Sequence, residues 1–427
     1  MKINSNIFFN KKILIYGLGR SGLSTFKFLK NKNNVFLYDD LKNNLKNFLS
    51  YKTVIKTNFD HIIISPGIDI NKCYLSKFLR KNEDKISSDL DVFYSYYKND
   101  CITITGTNGK STTCKLLYEI LSKNNYDVRL VGNIGNPILS SKNIKLKTIF
   151  IVEASSYQLE YSKIFKSKYG AILNISPDHL ERHKTIKRYV EAKLRLLKNQ
   201  PKRSFCFLKK DDVLIKKYLG SQKFNCKIIK VNTNLDNQIF SKLKNDYILS
   251  EVNKENLLFV LAILNKFKIK KELLINFLKK FKGLKYRQQI IYKNNNMTII
   301  NDSKSTSFAS SLGALKMNTN IYWLLGGIYK KGDKFNLLKK YRKNINAFIF
   351  GKNKKFFIKQ LKGKIKYRLF KNLNNAVKKV FAISKKHNFK HKVILFSPSA
   401  ASFDSFENFE HRGSYFNKLV KKYINVQ

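Results

Sequence analysis

The amino-acid sequence predicts an α/β protein with doubly wound sheets, arranged as three successive α/β units. Short apolar runs alternate with longer amphipathic stretches, and each run has the character of a buried parallel strand. Three runs, beginning at Lys12, Cys101 and Met297, lead directly into a polar or glycine-bearing loop. The predicted elements of the first half are strands 12–16, 35–38, 61–65, 101–105, 149–152 and 171–175 and helices 111–122 and 189–197.

Motif positions set the predicted domain boundaries, because the 5 prolines and 18 glycines form no linker. We predict a Rossmann-like N-terminal domain over residues 1–88 and a central α/β domain of the phosphate-loop ATPase type over 89–283. A Rossmann-like C-terminal domain then covers 284–427. The segments rich in asparagine and lysine at 42–47 and 294–296 are interpreted as solvated loops or turns.

The net charge of the chain is +56, from 84 Lys and Arg against 28 Asp and Glu. Such a charge suggests a polyanion-binding protein, but the basic residues are spread over every segment rather than clustered on one face. A content of 43% hydrophobic residues excludes a disordered chain. We therefore expect a basic enzyme with acidic substrates and no nucleic-acid partner.

Five cysteines without C-x-x-C spacing indicate neither a disulfide framework nor a zinc ribbon, and a reducing compartment fits them best. Residues 1–12 lack the apolar core of a signal peptide. No apolar stretch approaches the length that spans a bilayer. We expect a cytoplasmic protein without membrane insertion.

A glycine-rich turn follows the first predicted strand, as Gly17-Leu18-Gly19-Arg20-Ser21-Gly22, and Asp39 ends the next strand. Glycines at this spacing allow a tight turn, so that helix N-terminal amides face a diphosphate. The motif predicts diphosphate binding without specifying nicotinamide. The alternative is a turn that serves only the packing of strand on helix.

The most specific motif follows the strand at 101–105, where Thr105, Gly106, Thr107, Asn108, Gly109, Lys110, Ser111 and Thr112 open a helix. Backbone amides of such a loop cradle phosphates, the lysine reaches the terminal phosphates, and the serine hydroxyl ligates Mg²⁺. The general phosphate-loop pattern has a glycine where Ile104 stands. The sequence thus predicts an ATP site of a less general type.

Glu153 ends the strand at 149–152, downstream of the phosphate loop. A carboxylate at the carboxyl end of a strand beside such a loop suits Mg²⁺. Taken alone, this glutamate is more simply a solvated acid at a strand end.

Two histidines, His179 and His183, follow the strand at 171–175. A zinc protease motif needs glutamate directly after the first histidine, where Leu180 stands, so a metalloprotease is not expected. His179 is a candidate for a magnesium shell or a phosphate contact, and His183 is interpreted as a helix-surface residue. Lys193, on the amphipathic helix, has the local character of a solvated lysine.

Three polar loops follow predicted strands in the last third, at residues 301–306, 326–332 and 397–409. The carboxyl ends of parallel strands share one sheet edge, so the loops are expected to converge on one cleft. Taken singly, each loop can also be interpreted as an ordinary turn, in which Gly and Ser are present only for backbone reasons.

In this order, the motifs resemble those of the Mur ligases, ATP-dependent amide-forming enzymes of peptidoglycan precursor synthesis. The resemblance extends from Gly17-Leu18-Gly19 to Arg412-Gly413 and is strongest to the branch that adds D-glutamate. It implies the substrates UDP-N-acetylmuramoyl-L-alanine, D-glutamate and ATP, the cofactor Mg²⁺, an acyl-phosphate intermediate and a monomeric enzyme.

The resemblance also implies roles for individual residues. Lys110, His179 and Lys193 would be catalytic, and Ser111, Glu153, His179 and a carbamylated Lys193 would bind metal. ATP would contact residues 106–112 together with Asn253, Asn256, Arg287 and Asp302. The UDP-sugar would contact Gly17, Gly19, Arg20, Ser21, Gly22, Asp39, Ser65, Pro66, Gly67, Asn133, Ser155 and Gln158, and D-glutamate would contact Lys304, Thr306, Lys330, Ser402 and Phe409.

Two positions depart from the family pattern, since Val252 and Tyr286 stand where histidines are usual. Both positions belong to the part of the ATP site that would contact the adenine ring. The remaining alternatives are a Mur-type ligase for another amino acid, a folylpolyglutamate synthase, and a basic phosphate-loop protein that binds nucleic acid.

Overall fold

The computed structural model describes residues 6–41, 47–220, 222–233, 238–330, 332–387 and 389–424. The chain forms two compact units: Met1–Leu243 with Asn253–Lys279, and Lys244–Val252 with Lys280–Gln427. The first unit contains two parallel sheets and the second contains one mixed sheet. The α/β class is confirmed. The three-domain boundaries at 88/89 and 283/284 stay a prediction.

The first sheet has four parallel strands in the order β2-β1-β3-β4. Because β1 lies between β2 and β3, the loop after β1 is at a switch point of the strand order, where such sheets bind ligands. The elements are β1 Lys12–Tyr16, α1 Arg20–Leu29, β2 Asn34–Tyr38, α2 Tyr51–Lys56, β3 His61–Ile64, α3 Ser76–Lys81, β4 Ile86–Ser87 and α4 Asp89–Tyr96.

The second sheet has six parallel strands in the order β10-β9-β8-β5-β7-β6. The switch point here is the end of β5, between β7 and β8. The elements are β5 Cys101–Thr105, α5 Lys110–Lys123, β6 Val128–Gly132, β7 Ile149–Glu153, α6 Ser156–Tyr161, β8 Tyr169–Ile172, α7 Leu180–His183, α8 Ile186–Lys198, β9 Phe205–Lys209, α9 Val213–Leu219, β10 Lys227–Val231, α10 Gln238–Ser241, α11 Asp246–Leu249, α12 Glu251–Leu264 and α13 Lys271–Lys280. Of these, α11, the first two residues of α12 and the last residue of α13 are grouped with the second unit.

The third sheet has the order β11-β12-β16-β13-β14-β15, and only β11 runs antiparallel to its neighbour. A turn at 294–296 joins β11 to β12, as predicted, with Asn294 N donating to Met297 O at 2.9 Å. So short a connection can only reverse the chain, which makes the sheet mixed. The elements are β11 Gln289–Lys293, β12 Met297–Asn301, α14 Phe308–Met317, β13 Ile321–Gly326, β14 Ile345–Phe350, α15 Lys354–Leu361, β15 Lys366–Leu369, α16 Leu373–Lys386, β16 Lys392–Phe396 and α17 Phe409–Ile424.

Most predicted strands are confirmed to within a residue or two, and the shift at β8 has a local cause. This strand begins at Tyr169 and ends at Ile172, earlier than the predicted 171–175. Beyond it, Ile175 N donates to the carboxylate of Asp212 and Asn174 O accepts from Thr107 N, both within 2.9 Å. The chain therefore leaves the sheet to bind the phosphate loop. The loop predicted at 42–47 lies outside the described residues except for Asn47, which is in a turn.

Each sheet is packed between apolar side chains of its helices. In the first unit Phe93 of α4 contacts Phe150 of β7, with ring centroids 4.7 Å apart. In the second unit Trp323 of β13 is fully buried and its indole nitrogen donates to Ser397 O at 2.8 Å. None of the helices in the described ranges combines the length and the apolar character that crossing a membrane requires.

Candidate active site

A cavity of about 710 Å³ opens at the end of β1 in the first unit. Its shape depends on the glycine turn, where Gly17 has φ +94° and a Cβ on Gly22 would lie 1.9 Å from Gly17 O. Ser65 Oγ and Leu18 N secure the turn, the first by donating to Gly17 O and the second by donating to Asp39, each at 2.6 Å. Every UDP-sugar residue predicted on the first sheet except Gly22 lines the cavity, namely Gly17, Gly19, Arg20, Ser21, Asp39, Ser65, Pro66 and Gly67.

The remaining predicted UDP-sugar residues, Asn133, Ser155 and Gln158, follow strands of the second sheet. Ser155 and Gln158 form a capping box that begins α6. Buried Asp89 joins them to the glycine turn, because it accepts from Ser21 Oγ and, at 3.4 Å, from Gln158 Nε2. Asp89 was not predicted from the sequence, and its position as the first residue of α4 gives no signal of this contact.

The phosphate loop lies between β5 and α5. Gly106 and Gly109 have φ values of +146° and +84°, which residues with a side chain rarely adopt. Thr107 N and Asn108 N donate to the main chain and the side chain of Asn174, both at 2.9 Å. Lys110 Nζ folds back on the loop and donates to the carbonyl oxygens of residues 106 and 107 at 2.7 and 2.8 Å. Ser111 and Thr112 are buried in the first turn of α5.

Glu153 lies directly beside this loop and is 1% exposed, so its interpretation as a solvated acid is wrong. Ser111 Oγ donates to Glu153 Oε2 at 2.6 Å, and Asn133 Nδ2 donates to Oε1 at 2.9 Å. Hydroxyl and carboxylate oxygens are ligands that Mg²⁺ prefers, and the residues present therefore fit this ion. Within the described ranges, no group of three or more His, Cys, Asp or Glu is arranged to hold a metal by itself.

Lys193 of α8 is 2% exposed, which corrects the prediction of a solvated lysine. Its Nζ donates to Gly106 O at 3.0 Å and lies 4.6 Å from the centre of the Tyr189 ring. Burial, and then the nearby charge of Lys110, lower the pKa of Lys193 well below its usual range. One helical turn separates Tyr189 from Lys193, and the hydroxyl of Tyr189 is 3.0 Å from Thr107 Oγ1. Tyr189 and Lys193 therefore lie on one face of α8, and this face contacts the phosphate loop.

His179 directly precedes α7 and His183 is its last residue, and both are held by polar contacts. His179 has φ +54°, with Nδ1 at 2.8 Å from Tyr157 Oη and Nε2 at 3.3 Å from an Asp178 oxygen. His183 is 2% exposed and its Nε2 is 3.0 Å from Ser156 Oγ, so its prediction as a surface residue is wrong. Burial lowers the pKa of His183 to about 4. Spacing alone gave no sign that α6 covers this histidine.

The predicted adenine-side asparagines lie on α12 and face the phosphate loop. Asn256 Nδ2 donates to Asn253 Oδ1 at 3.2 Å, and both side chains are buried. A Cβ on Gly109 would lie 2.0 Å from Asn256 Oδ1, so glycine is required where the helix meets the loop. In the second unit, Val252 is 39% exposed.

In the second unit the three polar loops converge, as predicted. Ile328 and Ala401 exchange two backbone hydrogen bonds of 2.9 and 2.8 Å, which joins the loops after β13 and β16. Asp302 N donates to Phe396 O at 2.7 Å, which joins the loop after β12 to the end of β16. This convergence follows from the strand order, because β16 lies between β12 and β13.

The predicted D-glutamate residues lie on these loops. Lys304 Nζ is 3.6 Å from the centre of the Phe409 ring, a cation–π contact. Ser402 is buried, whereas Thr306 and Lys330 are half-buried on the first and second loops. Lys331, in the second loop, lies outside the described residues.

Asp302, a predicted ATP contact, is buried beside the half-buried Arg287. It accepts from Ser397 Oγ at 2.7 Å and from Gln288 N at 3.1 Å. Burial raises the pKa of Asp302 to about 7, although the neighbouring arginines oppose the shift. Tyr286 has φ +62°, and its carbonyl oxygen accepts from Lys304 N at 3.0 Å.

The sequence profile of the Mur ligase middle domain matches residues 104–280. A relative named UDP-N-acetylmuramoylalanine–D-glutamate ligase, from Rickettsia felis, is 33% identical over 443 residues and covers 97% of both chains. A relative of the same name from Francisella tularensis subsp. tularensis is 36% identical over 417 residues, covering 96% of this chain and 95% of its own.

Two solved structures share the fold. The UDP-N-acetylmuramate–alanine ligase of Thermotoga maritima has a TM-score of 0.58 at 16% identity and covers 98% of this chain and 100% of its own. MurF ligase of the same organism, in complex with ADP, has a TM-score of 0.59 at 15% identity, with coverage of 97% and 96%.

The fold and the phosphate loop define an α/β ligase of the phosphate-loop type. The chain belongs to the Mur ligase family, within the group of relatives named UDP-N-acetylmuramoylalanine–D-glutamate ligase.

Proposed function

We propose that this ligase joins D-glutamate to the alanyl carboxylate of UDP-N-acetylmuramoyl-L-alanine at the expense of ATP, in the cytoplasm and as a monomer. A carboxylate is a poor acyl donor, so the γ-phosphoryl group of ATP is first transferred to it. The amine of D-glutamate then displaces phosphate from the acyl phosphate. The observation that carries the proposal is the geometry of the phosphate loop: half-buried Lys110 and buried Lys193 both donate to Gly106 O, and the buried pair Ser111 and Glu153 is hydrogen-bonded beside them.

The phosphate loop binds and orients the triphosphate. Its left-handed glycines place backbone amides against the phosphates, and Lys110 leaves its carbonyl partners to contact the transferred group. Ser111 and Glu153 would hold Mg²⁺, which neutralises phosphate charge when bound. Asn133 fixes the rotamer of Glu153 through its 2.9 Å hydrogen bond.

Lys193 serves this site as a carbamate. Because its pKa is lowered, the buried amine of Lys193 gives up its proton more readily, and the neutral amine adds CO₂, forming an N–C bond and releasing a proton. The product is an anion suited to a metal, where an ammonium would repel it. His179, whose ring is oriented by Tyr157, is the further metal or phosphate contact.

The cavity at the end of β1 takes the UDP-sugar. Its glycine turn and the N-terminus of α1 suit a diphosphate, and Asp39 suits a ribose or base donor. The network from Ser21 through Asp89 to Gln158 leads from this cavity towards the second sheet, on the side where the alanyl end is expected.

The second unit takes D-glutamate. Lys304 and Lys330 supply positive charge for the substrate carboxylates, and Thr306, Ser402 and Phe409 complete the predicted set. Arg287 and Asp302 of this unit, with Asn253 and Asn256 of the first, stay the predicted ATP contacts. Val252 and Tyr286 change the adenine side without changing the reaction type.

The test is phosphate release from ATP measured with substrates omitted in turn. We expect release only when UDP-N-acetylmuramoyl-L-alanine and D-glutamate are both present, with no release on replacing D-glutamate by L-lysine or meso-diaminopimelate. Release that responds to another amino acid would assign a different Mur-type ligase. Release stimulated by DNA or RNA, without the UDP-sugar, would replace the proposal with a nucleic-acid-dependent ATPase.

A further inference from the structure

Arg412 of α17 carries a guanidinium group that is 0% exposed, buried where the three converging loops meet. Nothing in the proposed reaction uses this group. A buried cation is costly unless hydrogen bonds and opposite charges compensate it, so its partners indicate its role.

Two of the loops are bonded directly to this guanidinium. Its Nη2 donates to Ser303 O at 2.7 Å and to Ala400 O at 2.9 Å, and Nε donates to Ser303 Oγ at 3.2 Å. Ser303 precedes Lys304, and Ala400 lies two residues before Ser402. The same group therefore holds the main chain beside two predicted D-glutamate contacts.

The third loop packs against the remaining nitrogen. A Cβ on Gly327 would lie 3.2 Å from Arg412 Nη1 and 2.3 Å from Ala401 O, so only glycine lets this loop approach. Gly327 lies three residues before Lys330. Among the described residues, Arg412 Nη1 has no hydrogen-bond partner, so its contact with this loop is one of packing.

The chemistry of these contacts requires arginine. A planar fork of fixed donors can reach two carbonyl oxygens on different loops at once, which a lysine ammonium at the end of a flexible stem cannot do with the same precision. Burial lowers the pKa of Arg412 to about 10, opposed by the charges of Asp404 and Asp302, so the group remains charged at neutral pH.

We propose that Arg412 is the positioning residue of the amino-acid site: it sets the relative positions of the loops that carry Lys304, Lys330 and Ser402 without touching the substrate. The inference rests on the proposed binding of D-glutamate by this unit. It assigns to one buried side chain the alignment of contacts that come from three separate strands.

The test compares Arg412→Ala with Arg342→Ala, in steady-state assays with each substrate varied in turn. Arg342 lies in the same unit and also donates to a backbone carbonyl, that of Leu337, at 2.7 Å. We expect Arg412→Ala to raise KM for D-glutamate roughly 10- to 100-fold, with KM for the UDP-sugar unchanged. Arg342→Ala should leave all KM values near wild type.

Two further measurements separate positioning from general stability. Guanidinium at concentrations far below denaturing ones should lower the raised KM of Arg412→Ala, because it refills the vacated site. Arg412→Lys keeps the charge and most of the volume, and it should also raise KM for D-glutamate. If Arg412→Ala does not fold, the KM of Arg412→Lys tests the positioning role in its place. An unchanged KM for D-glutamate in Arg412→Lys, or equal rises for all three substrates, would overturn the inference. Failure of the proposed function differs, because the wild-type enzyme itself would then show no dependence on D-glutamate.

Discussion

Nζ of Lys193 donates to the carbonyl oxygen of Gly106 at 3.0 Å, and Nζ of Lys110 donates to the same oxygen at 2.7 Å. Two lysines that are 83 positions apart in the sequence thus meet at one atom of the phosphate loop. Burial, and then repulsion by the charge of Lys110, lower the pKa of Lys193, so this fully buried lysine loses its proton more readily. This arrangement supports the proposal that Lys110 remains a cation while Lys193 becomes a carbamate.

Replacement of Lys193 tests this interpretation. We expect Lys193→Ala to lower kcat on the order of 100-fold, because a charged group beside the transferred phosphoryl is lost. Added short-chain carboxylates should restore part of the activity by occupying the place of the carbamate. Activity is measured as ADP formation with and without acetate or formate.

The matched control for this replacement is Lys198→Ala, an exposed lysine on the same helix. It should be neither slowed nor rescued. Full activity of Lys193→Ala in the absence of carboxylate would reject a role for the modified lysine.

Replacement of Lys110 tests the phosphate loop. We expect Lys110→Ala to abolish ADP formation while the UDP-sugar still binds, since the cavity at β1 does not include this residue. Calorimetric titration with UDP-N-acetylmuramoyl-L-alanine checks the binding.

Lys115→Ala is the control for Lys110→Ala, because Lys115 lies on the same helix in an ion pair with Glu119. Its turnover should match the wild type. Normal turnover in Lys110→Ala would remove the phosphate-loop assignment.

Replacement by alanine is expected to affect stability at Gly22 but not at Gly19, although both belong to the glycine-rich turn. A Cβ at position 22 would lie 1.9 Å from Gly17 O, whereas one at position 19 meets nothing within 4 Å. We expect Gly22→Ala to lower the free energy of unfolding by about 3 kcal/mol, because the helix can no longer pack on the turn. Gly19→Ala should keep wild-type stability but weaken UDP-sugar binding, because Gly19 lines the cavity.

Thermal unfolding and calorimetric titration of both variants provide the measurements. Equal stability of the two variants would contradict the close approach of α1 to Gly17. Wild-type affinity of Gly19→Ala would place the UDP-sugar elsewhere.

Asp302 gives a pH dependence whose sign follows from burial. Its pKa rises from 3.8 to about 7 on folding, so between these values the folded chain holds a proton that the unfolded chain has released. The carboxyl group of Asp302 therefore stabilises the folded chain fully below the unfolded pKa of 3.8, and this stabilisation is lost as the pH rises through the folded pKa of about 7. Asp302→Asn should remove a slope of up to about 1.4 kcal/mol per pH unit over this window.

Urea unfolding at a series of pH values in this window measures the slope. Glu407→Gln, a change at a mostly exposed carboxylate in the same unit, should leave it unaltered. An identical pH profile for Asp302→Asn and the wild type would show that the carboxyl group titrates normally.

Much of the fold could be predicted because its signals are local. Buried parallel strands such as β5 and β7 are mainly apolar, and the loop after β5 carries two glycines, Gly106 and Gly109, whose positive φ values a residue with a side chain rarely adopts. The phosphate loop was recognisable for the same reason, since eight consecutive residues carry its whole chemistry.

Residues whose role depends on distant parts of the chain could not be predicted by pattern. His183 was expected at the surface and is buried by α6, while Arg412 gave no local signal because its partners lie 109 and 12 residues away. Among so many basic residues, a single functional lysine or arginine has no distinctive sequence context.

The sequence by itself determined the class of fold, the order of the motifs and the residues of the phosphate loop, because these depend on neighbouring residues and on the period of apolar side chains. Only the tertiary structure decided which polar groups lose their water. Sheet topology brings Lys193 to Gly106 and Arg412 to three loops. Burial lowers the pKa of Lys193, and burial leaves Arg412 bonded to backbone carbonyl oxygens in place of water.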